Sequence, residues 1–548
     1  MKKVFCLLWR TIRNWRSLVF IVYCTLILAA DAFVSHDSIR YVFRSTFLIF
    51  VACVFLCPVI LNRTKKLELK APARAVSFLP QRMIPALFFV IPFALFLILF
   101  VIYYPGGLSV DTFAQYEETI TGSYSDWHPV FHTLFAIKLP LLLTGGWIGA
   151  PTFFQIILFS AVLAYSFCTL HRYAGMRWTL LAMLYILLNH KVWVLAMYPW
   201  KDSSFSIGAL LLTTYLARIY FTKGKWIKSP LRMAAFIATL AFTTLFRHNA
   251  ILFTLPILLA VAFCISKKRS LVICLSFITL LVAVKGPLYT ALEVKAPDSR
   301  QVEMLGLPMT VIGGVVANDP DALDEETREF AYAVAPQEDW EKYYVYGSYN
   351  SIKWEDNTNN AVIEEYGTNR VLSMMFRCFA RSPKTATTSL IKLTAPVYTI
   401  SDDYLQINSI RVYDNDFGVS GSGVPLLQTL IYKFQKGLAL VFPHVFEYLG
   451  VLHLVLLLSV LAKCDLKRLN DWRKILFVAP IFIYNYGTTL LLTAFSDAPR
   501  FFNYTYLVFP ILLMILFRKE GEVGTPPTEC HEKGFDYRSG PCGPDRCL

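Results

Sequence analysis

Runs of about 20 largely apolar residues return along most of this chain, and they limit its fold more than any other feature. MIPALFFVIPFALFLILFVI at 83–102 is one of them. Each is long enough to cross a hydrocarbon layer as a helix. With 56% apolar and only 16% charged side chains in 548 residues, the chain has too little charge for a soluble protein of this length. The fold class read from this is an all-α polytopic membrane protein. Twelve transmembrane helices are expected, near 17–34, 46–62, 84–104, 150–170, 178–197, 203–221, 233–247, 250–266, 270–285, 447–463, 475–494 and 501–517.

The net charge of +14 does not point to nucleic acid, because Lys and Arg fall in short clusters between the spans. NRTKKLELKAPARAVSFLPQRM, HRYAGMRW, TKGKWIKSPLR, SKKRS and KCDLKRLNDWRK all lie on one side if the spans alternate. The positive-inside rule makes that side cytoplasmic and places both termini there, in a plasma membrane. The basic start, MKKVFCLLWRTIRNWR, lacks a compact apolar core and a cleavage site, and reads as a retained cytoplasmic end. The opposite loops hold nearly all the Asp and Glu.

The largest of those outer regions, 286–446, mixes acidic runs, aromatics and Gly-rich turns. It predicts a small mixed α/β extracytoplasmic subdomain. Its end, VPLLQTLIYKFQKGLALVF at 424–442, carries Lys433 and Lys436 and reads as an interfacial amphipathic helix. Spans close the chain over 447–517, before a cytoplasmic tail at 518–548. Of the twelve cysteines, those in apolar runs, such as Cys53, Cys57, Cys264 and Cys274, read as packing residues. Cys530, Cys542 and Cys547 cluster in the polar tail, where the sequence leaves a metal or redox role open.

Five places beside the spans carry unusual chemistry. The first outer loop, 105–149, holds Asp111, Gln115, Asp126, His128 and His132. Lys201 and Asp202 follow the fifth span in YPWKDSSF. Arg247, His248 and Asn249 form the FRHNA break. Asp402 and Asp403 come late in the outer region, and Asp497 and Arg500 precede the last span. Each has an ordinary reading taken singly: a solvated helix cap for Asp111, a snorkelling Lys201, an interfacial anchor at Arg500. Their convergence on one side, which was assigned from basic residues in other loops, argues for a site. Asp111, Gln115 and Glu118 share one helical face, and His128 and His132 are one turn apart.

Cations beside a carboxylate at a membrane surface suit a lipid phosphate. Arg and Lys hold the phosphate, and the carboxylate takes a proton from an attacking hydroxyl. Glycosyl transfer from a polyprenyl-phosphate sugar needs those parts. Lys201, Asp202, Arg247, His248 and Arg500 are the expected substrate-binding residues, with Gln115 as a sugar contact. Asp111 is the expected base, with His128 and His132 orienting it or the acceptor. No Gly-rich phosphate loop or DxD pattern appears on the basic side.

The same residues carry a resemblance. Asp111 in LSVDTFAQY, His128-Pro129 in DWHPVFHTL and Arg500 before the final span resemble the GT-C class of membrane glycosyltransferases. The ordered set YPG-x-S-x-D-x-x-x-Q, HP-x-x-H-T, KD, RHN and VEMLGLPMTVIGGVV is similar to a bacterial multi-pass family within that class, over roughly 100–510. The resemblance implies a lipid-linked sugar as donor. It also implies an Asp in the first outer loop as base or metal-assisted catalyst, matching Asp111 only, and two amphipathic helices in that loop, near 109–122 and 129–143. Residues 1–83 would then be a two-helix addition before a GT-C-like core at 84–285. The acceptor would be a cell-envelope glycan, lipid or protein. No adjacent acidic pair stands at 111, which leaves a divalent cation open.

Two rivals remain at this level. A transporter or flippase for a lipid-linked glycan would carry ionisable residues within spans, and His190 and Lys191 are its best support. An assembly protein acting through its outer region would not need the Asp, His, Lys and Arg of the short loops.

Overall fold

A computed structural model of the chain describes residues 13–35, 39–69, 80, 83–297, 302, 304–400, 409–491 and 499–518. Helices make up all the regular structure among them, with a few isolated bridges between loops. Eight are long and apolar enough to cross a membrane: Trp15–Phe33, Arg40–Lys66, Met83–Ile102, Ala150–Ala174, Lys201–Phe221, Lys267–Ala291, Asp471–Leu491 and Arg500–Phe517. Met176–Leu188 and His190–Met197 together make a ninth, bent by 67° between the two pieces. The other three expected spans are shorter apolar helices, Pro230–Leu245, His248–Ala262 and Leu449–Lys463. Each of the twelve expected segments therefore contains helix, but among the described residues eight have full spanning length, or nine with the bent pair counted as one. The FRHNA break accounts for two of the short ones.

The 67° bend has a local cause. The Asn189 side chain accepts from the Lys191 backbone N–H at 2.9 Å and caps a new helix. Trp193 Nε1 donates to the Leu187 carbonyl at 2.6 Å, satisfying an oxygen that the break would orphan.

Lys201–Phe221 is the hub. It packs against Ala150–Ala174, Pro230–Leu245 and Tyr504–Phe517, and most of its side chains are buried. Gly208 permits the close approach of Pro230–Leu245, because Thr243 leaves no room there for a Cβ. The outer helices bury little: Phe47, Leu56, Val101, Leu142, Leu181 and Val282 all stay exposed. Apolar surface on that scale marks a membrane protein.

The bundle is oriented by contacts at its two ends. At one, Arg16 pairs with Asp465 at 3.6 Å and Leu69 N–H donates to the Phe517 carbonyl at 3.1 Å, so several basic loops meet. The other end carries the first outer loop and the region after 286.

That outer region contains no strand among the described residues, so the expected α/β subdomain is helical in what is described. Gly306–Asn318 packs on Ala361–Arg381 and Pro383–Tyr398, around a core that includes Trp340 and Tyr349. In Glu325–Val334 the buried Thr327, Phe330, Ala331 and Val334 recur at helical spacing, and Asp324 caps its start. Those signals outweigh the aromatic content that suggested strands. The chain then returns across the first outer loop. Leu108 bridges Val412, and Phe417 stacks on Phe113 at 5.9 Å. Pro425–Val441 follows, starting at the outer end of Met83–Ile102, where Gln428 Nε2 donates to the Ile102 carbonyl at 2.8 Å. Its Leu426, Leu430, Phe434 and Val441 are exposed, and of its side chains only Gln435 and Ala439 are buried.

Candidate active site

The first outer loop folds as expected into two helices, Val110–Thr121 and Val130–Leu143. The first is fixed at both ends. Ser109 and Thr112 form a reciprocal capping box, and Gly122 closes the helix at φ +71°. Asp111 therefore stands in the first turn, where the helix dipole favours a carboxylate. Trp200 Nε1 donates to Ser109 Oγ at 2.7 Å, which ties this cap to the start of Lys201–Phe221. Gly107 allows the tie, since a Cβ there would strike the Tyr198 ring.

Four of the five expected places meet. Arg500 Nη2 donates to Asp111 Oδ2 at 3.1 Å, and Arg500 Nε lies 3.5 Å from Asp202 Oδ2. Arg247 forms an ion pair with Asp202. Lys201 Nζ donates to His128 Nδ1 at 3.1 Å. Aromatic rings back the cations: Arg500 lies 4.7 Å from the Trp200 ring centre, and Arg247 lies 4.2 Å from that of Phe501. The cluster is layered by exposure. The side chains of Asp202 and Arg247 keep 1% and 6% of their exposure, while those of Asp111 and Arg500 keep 31% and 23%. Asp111 and Arg500 form the reachable layer, and Asp202 and Arg247 form its buried base.

Charge sets the protonation states. Burial alone would raise the Asp111 carboxyl, but Lys201, Arg500 and His128 outweigh it and bring it to about 2. Burial, with Lys201 beside it, pushes His128 down to about 3. His128 is neutral at neutral pH. An ammonium can only donate, so Nδ1 is its acceptor and the proton sits on Nε2.

Gln115 was expected as a sugar contact and His132 as a group orienting Asp111 or the acceptor; both side chains are buried and bonded to each other. His132 is 0% and Gln115 1% exposed. Gln115 Nε2 donates to His132 Nδ1 at 3.0 Å and to Thr133 Oγ1 at 2.9 Å. Thr133 donates to Glu118 Oε2 at 3.0 Å, and His132 Nε2 donates to Ser204 Oγ at 3.1 Å. The chain of bonds joins both loop helices to Lys201–Phe221. These two side chains are spent on tying the loop helices to Lys201–Phe221, in a network that sequence spacing does not reveal. Thr133–Lys138 is π-helical, a local widening that often marks functional sites.

His248 also leaves the cluster. Its Nε2 donates to the Asp126 carbonyl at 3.0 Å, at a rim where Lys285 Nζ reaches Asp126 Oδ1 at 2.9 Å and Tyr289 donates to the same oxygen at 2.9 Å. Lys285 and Tyr289 were not expected from sequence. Asp402, Asp403, Asp497 and the tail cysteines lie outside the described residues. His190 and Lys191, at the 67° bend, are buried and pair with Glu447; His190 Nδ1 is 3.2 Å from Glu447 Oε1.

Among the described residues no group of three or more His, Cys, Asp or Glu is placed to hold a metal ion. Asp111 and Asp202 each face guanidinium groups instead, a donor set that does not fit a divalent cation. Comparison with protein-family models, with curated proteins and with solved structures returned no match.

Proposed function

We propose that this chain is a GT-C-type glycosyltransferase. It would cross the plasma membrane twelve times, with both termini cytoplasmic, and move a sugar from a polyprenyl-phosphate donor to a cell-envelope acceptor outside. The observation that carries the reading is the Asp111–Arg500 pair with Lys201–His128 beside it, at the membrane end opposite the basic loops.

In this reading the acceptor hydroxyl oxygen attacks the anomeric carbon and Asp111 takes the hydroxyl proton. The bond from that carbon to the phosphate oxygen breaks, and the polyprenyl phosphate leaves with the electron pair. Lys201 and Arg500 hold the phosphate. Arg247 acts behind them, fixing Asp202, which fixes Arg500. A carboxyl at about 2 is a weak base, and donor binding corrects this. A phosphate that draws Lys201 and Arg500 away from Asp111 raises its basicity, so proton abstraction waits for the donor.

The test is transfer of radiolabelled sugar from polyprenyl-phosphate donors to envelope fractions, with intact protein and with Asp111→Asn. Asparagine keeps the size and cannot accept the proton. Label with intact protein and none with an inserted, folded variant is the expected result. Equal transfer by both removes Asp111 from the mechanism.

One observation favours the flippase reading: the buried His190 and Lys191 pair with Glu447 at a broken span. Translocation of a fluorescent lipid-linked glycan in vesicles, abolished by Glu447→Gln but not by Asp111→Asn, would establish it.

A further inference from the structure

The end of the bundle that bears the basic loops holds a cavity of about 660 Å³, far from the Asp111 cluster. That volume is in the range of small-molecule sites. Four separate stretches build it: the end of Ile39–Lys66, the end of Leu449–Lys463, the start of Leu469–Leu491 and the end of Tyr504–Phe517.

Among the described residues, Lys65, Lys463, Arg468, Lys474 and Arg518 line it, against two carboxylates, Glu68 and Asp471. The excess is positive however the carboxylates are shared. Lys474 and Arg518 are 8% and 4% exposed, so water does little to screen them. Lys474 lies 3.8 Å from Asp471 Oδ1, a long ion pair. Snorkelling explains a single Lys or Arg at a membrane end. It does not explain five cations from four elements turned towards one concavity, where each repels the others. Three of those elements arrive by their C-termini, whose carbonyls ease the repulsion, and Lys463 already uses the Lys65 carbonyl at 2.9 Å. Leu516, Phe517 and Leu469 supply an apolar wall.

We propose that this cavity binds a phosphate-bearing anion. The chemistry is that of an anionic lipid headgroup from the adjoining leaflet or of a soluble phosphorylated compound. Bound there, the anion bridges four helix ends and stabilises the bundle at the end opposite the Asp111 cluster.

The experiment uses the full-length protein and reads its thermal midpoint, so it does not depend on transferase activity. One arm compares nanodiscs of phosphatidylcholine with and without phosphatidylglycerol. The other titrates inorganic pyrophosphate into the detergent-solubilised protein. Arg468→Gln and Lys463→Gln are the first variants, because both side chains reach solvent and their loss spares the buried groups. A midpoint raised by phosphatidylglycerol alone identifies a lipid; one raised by pyrophosphate identifies a soluble anion. In either case each variant should weaken the apparent affinity by about fivefold to tenfold. No rise with either probe overturns the proposal, as does a rise of equal size in both variants.

Discussion

Arg500 donates to the carboxylate of Asp111 at 3.1 Å across 389 residues of sequence. The same guanidinium reaches Asp202, which Arg247 also holds. One cation thus links the first outer loop, the hub helix and the last span, and it does so at the exposed layer of the cluster.

Arg500→Gln should therefore change the chemistry more than the fold. It removes one of the cations that lower the Asp111 carboxyl. The acid limb of kcat/KM, which in the intact protein lies near the bottom of the accessible pH range, should move up towards ordinary carboxylate values. A fall of about 100-fold in transfer is expected from the lost phosphate contact. An unmoved acid limb, measured on membranes, would sever the link between Arg500 and Asp111.

Asp202→Asn should act on stability instead. It leaves Arg247 buried opposite a neutral amide, and breaking a buried pair costs about 3–5 kcal/mol. Thermal unfolding in detergent reads the loss. Combining it with Arg247→Met should recover part of the midpoint, because the uncompensated charge is gone.

Gln115→Leu should loosen the loop without touching donor phosphate. His132 and Thr133 lose their link through Gln115, at a cost of about 1–3 kcal/mol. Limited proteolysis within 105–149 should speed up. A higher KM for donor with unchanged proteolysis would mean that Gln115 contacts the sugar after all.

Acid should destabilise the site through His128. Its folded value, about 3, is below its unfolded value, so between the two the unfolded chain binds the extra proton. Stability is then lost as pH falls from about 6.5 to about 3. Asp111 adds a loss of the same sign between 3.8 and about 2. Midpoints taken across the upper window should fall with pH, and His128→Asn should flatten that slope.

Local rules made much of this molecule legible. Apolar length marked every spanning segment as helix, because a backbone in hydrocarbon must satisfy its own hydrogen bonds. Clustered Lys and Arg picked out loops that meet at one end of the bundle, where Arg16 pairs with Asp465 and Leu69 bonds to Phe517. The helical spacing of Asp111, Gln115 and Glu118 marked the helix that bears Asp111, and Lys201, Arg247 and Arg500 stood out because they converge on one side of the spans.

Which partner each one takes was decided by the tertiary structure alone. Spacing put His132 next to His128 on a helix, but the approach of Lys201–Phe221 buried His132 against Ser204 and left His128 to Lys201. Asp202 follows Lys201 directly, yet the one faces two guanidinium groups and the other an imidazole. Sequence fixes the periodicity of a helix and the cost of an exposed apolar face. It carries no record of how far one helix turns about its axis against another, and that rotation sorts the charged residues into a buried base and a reachable surface.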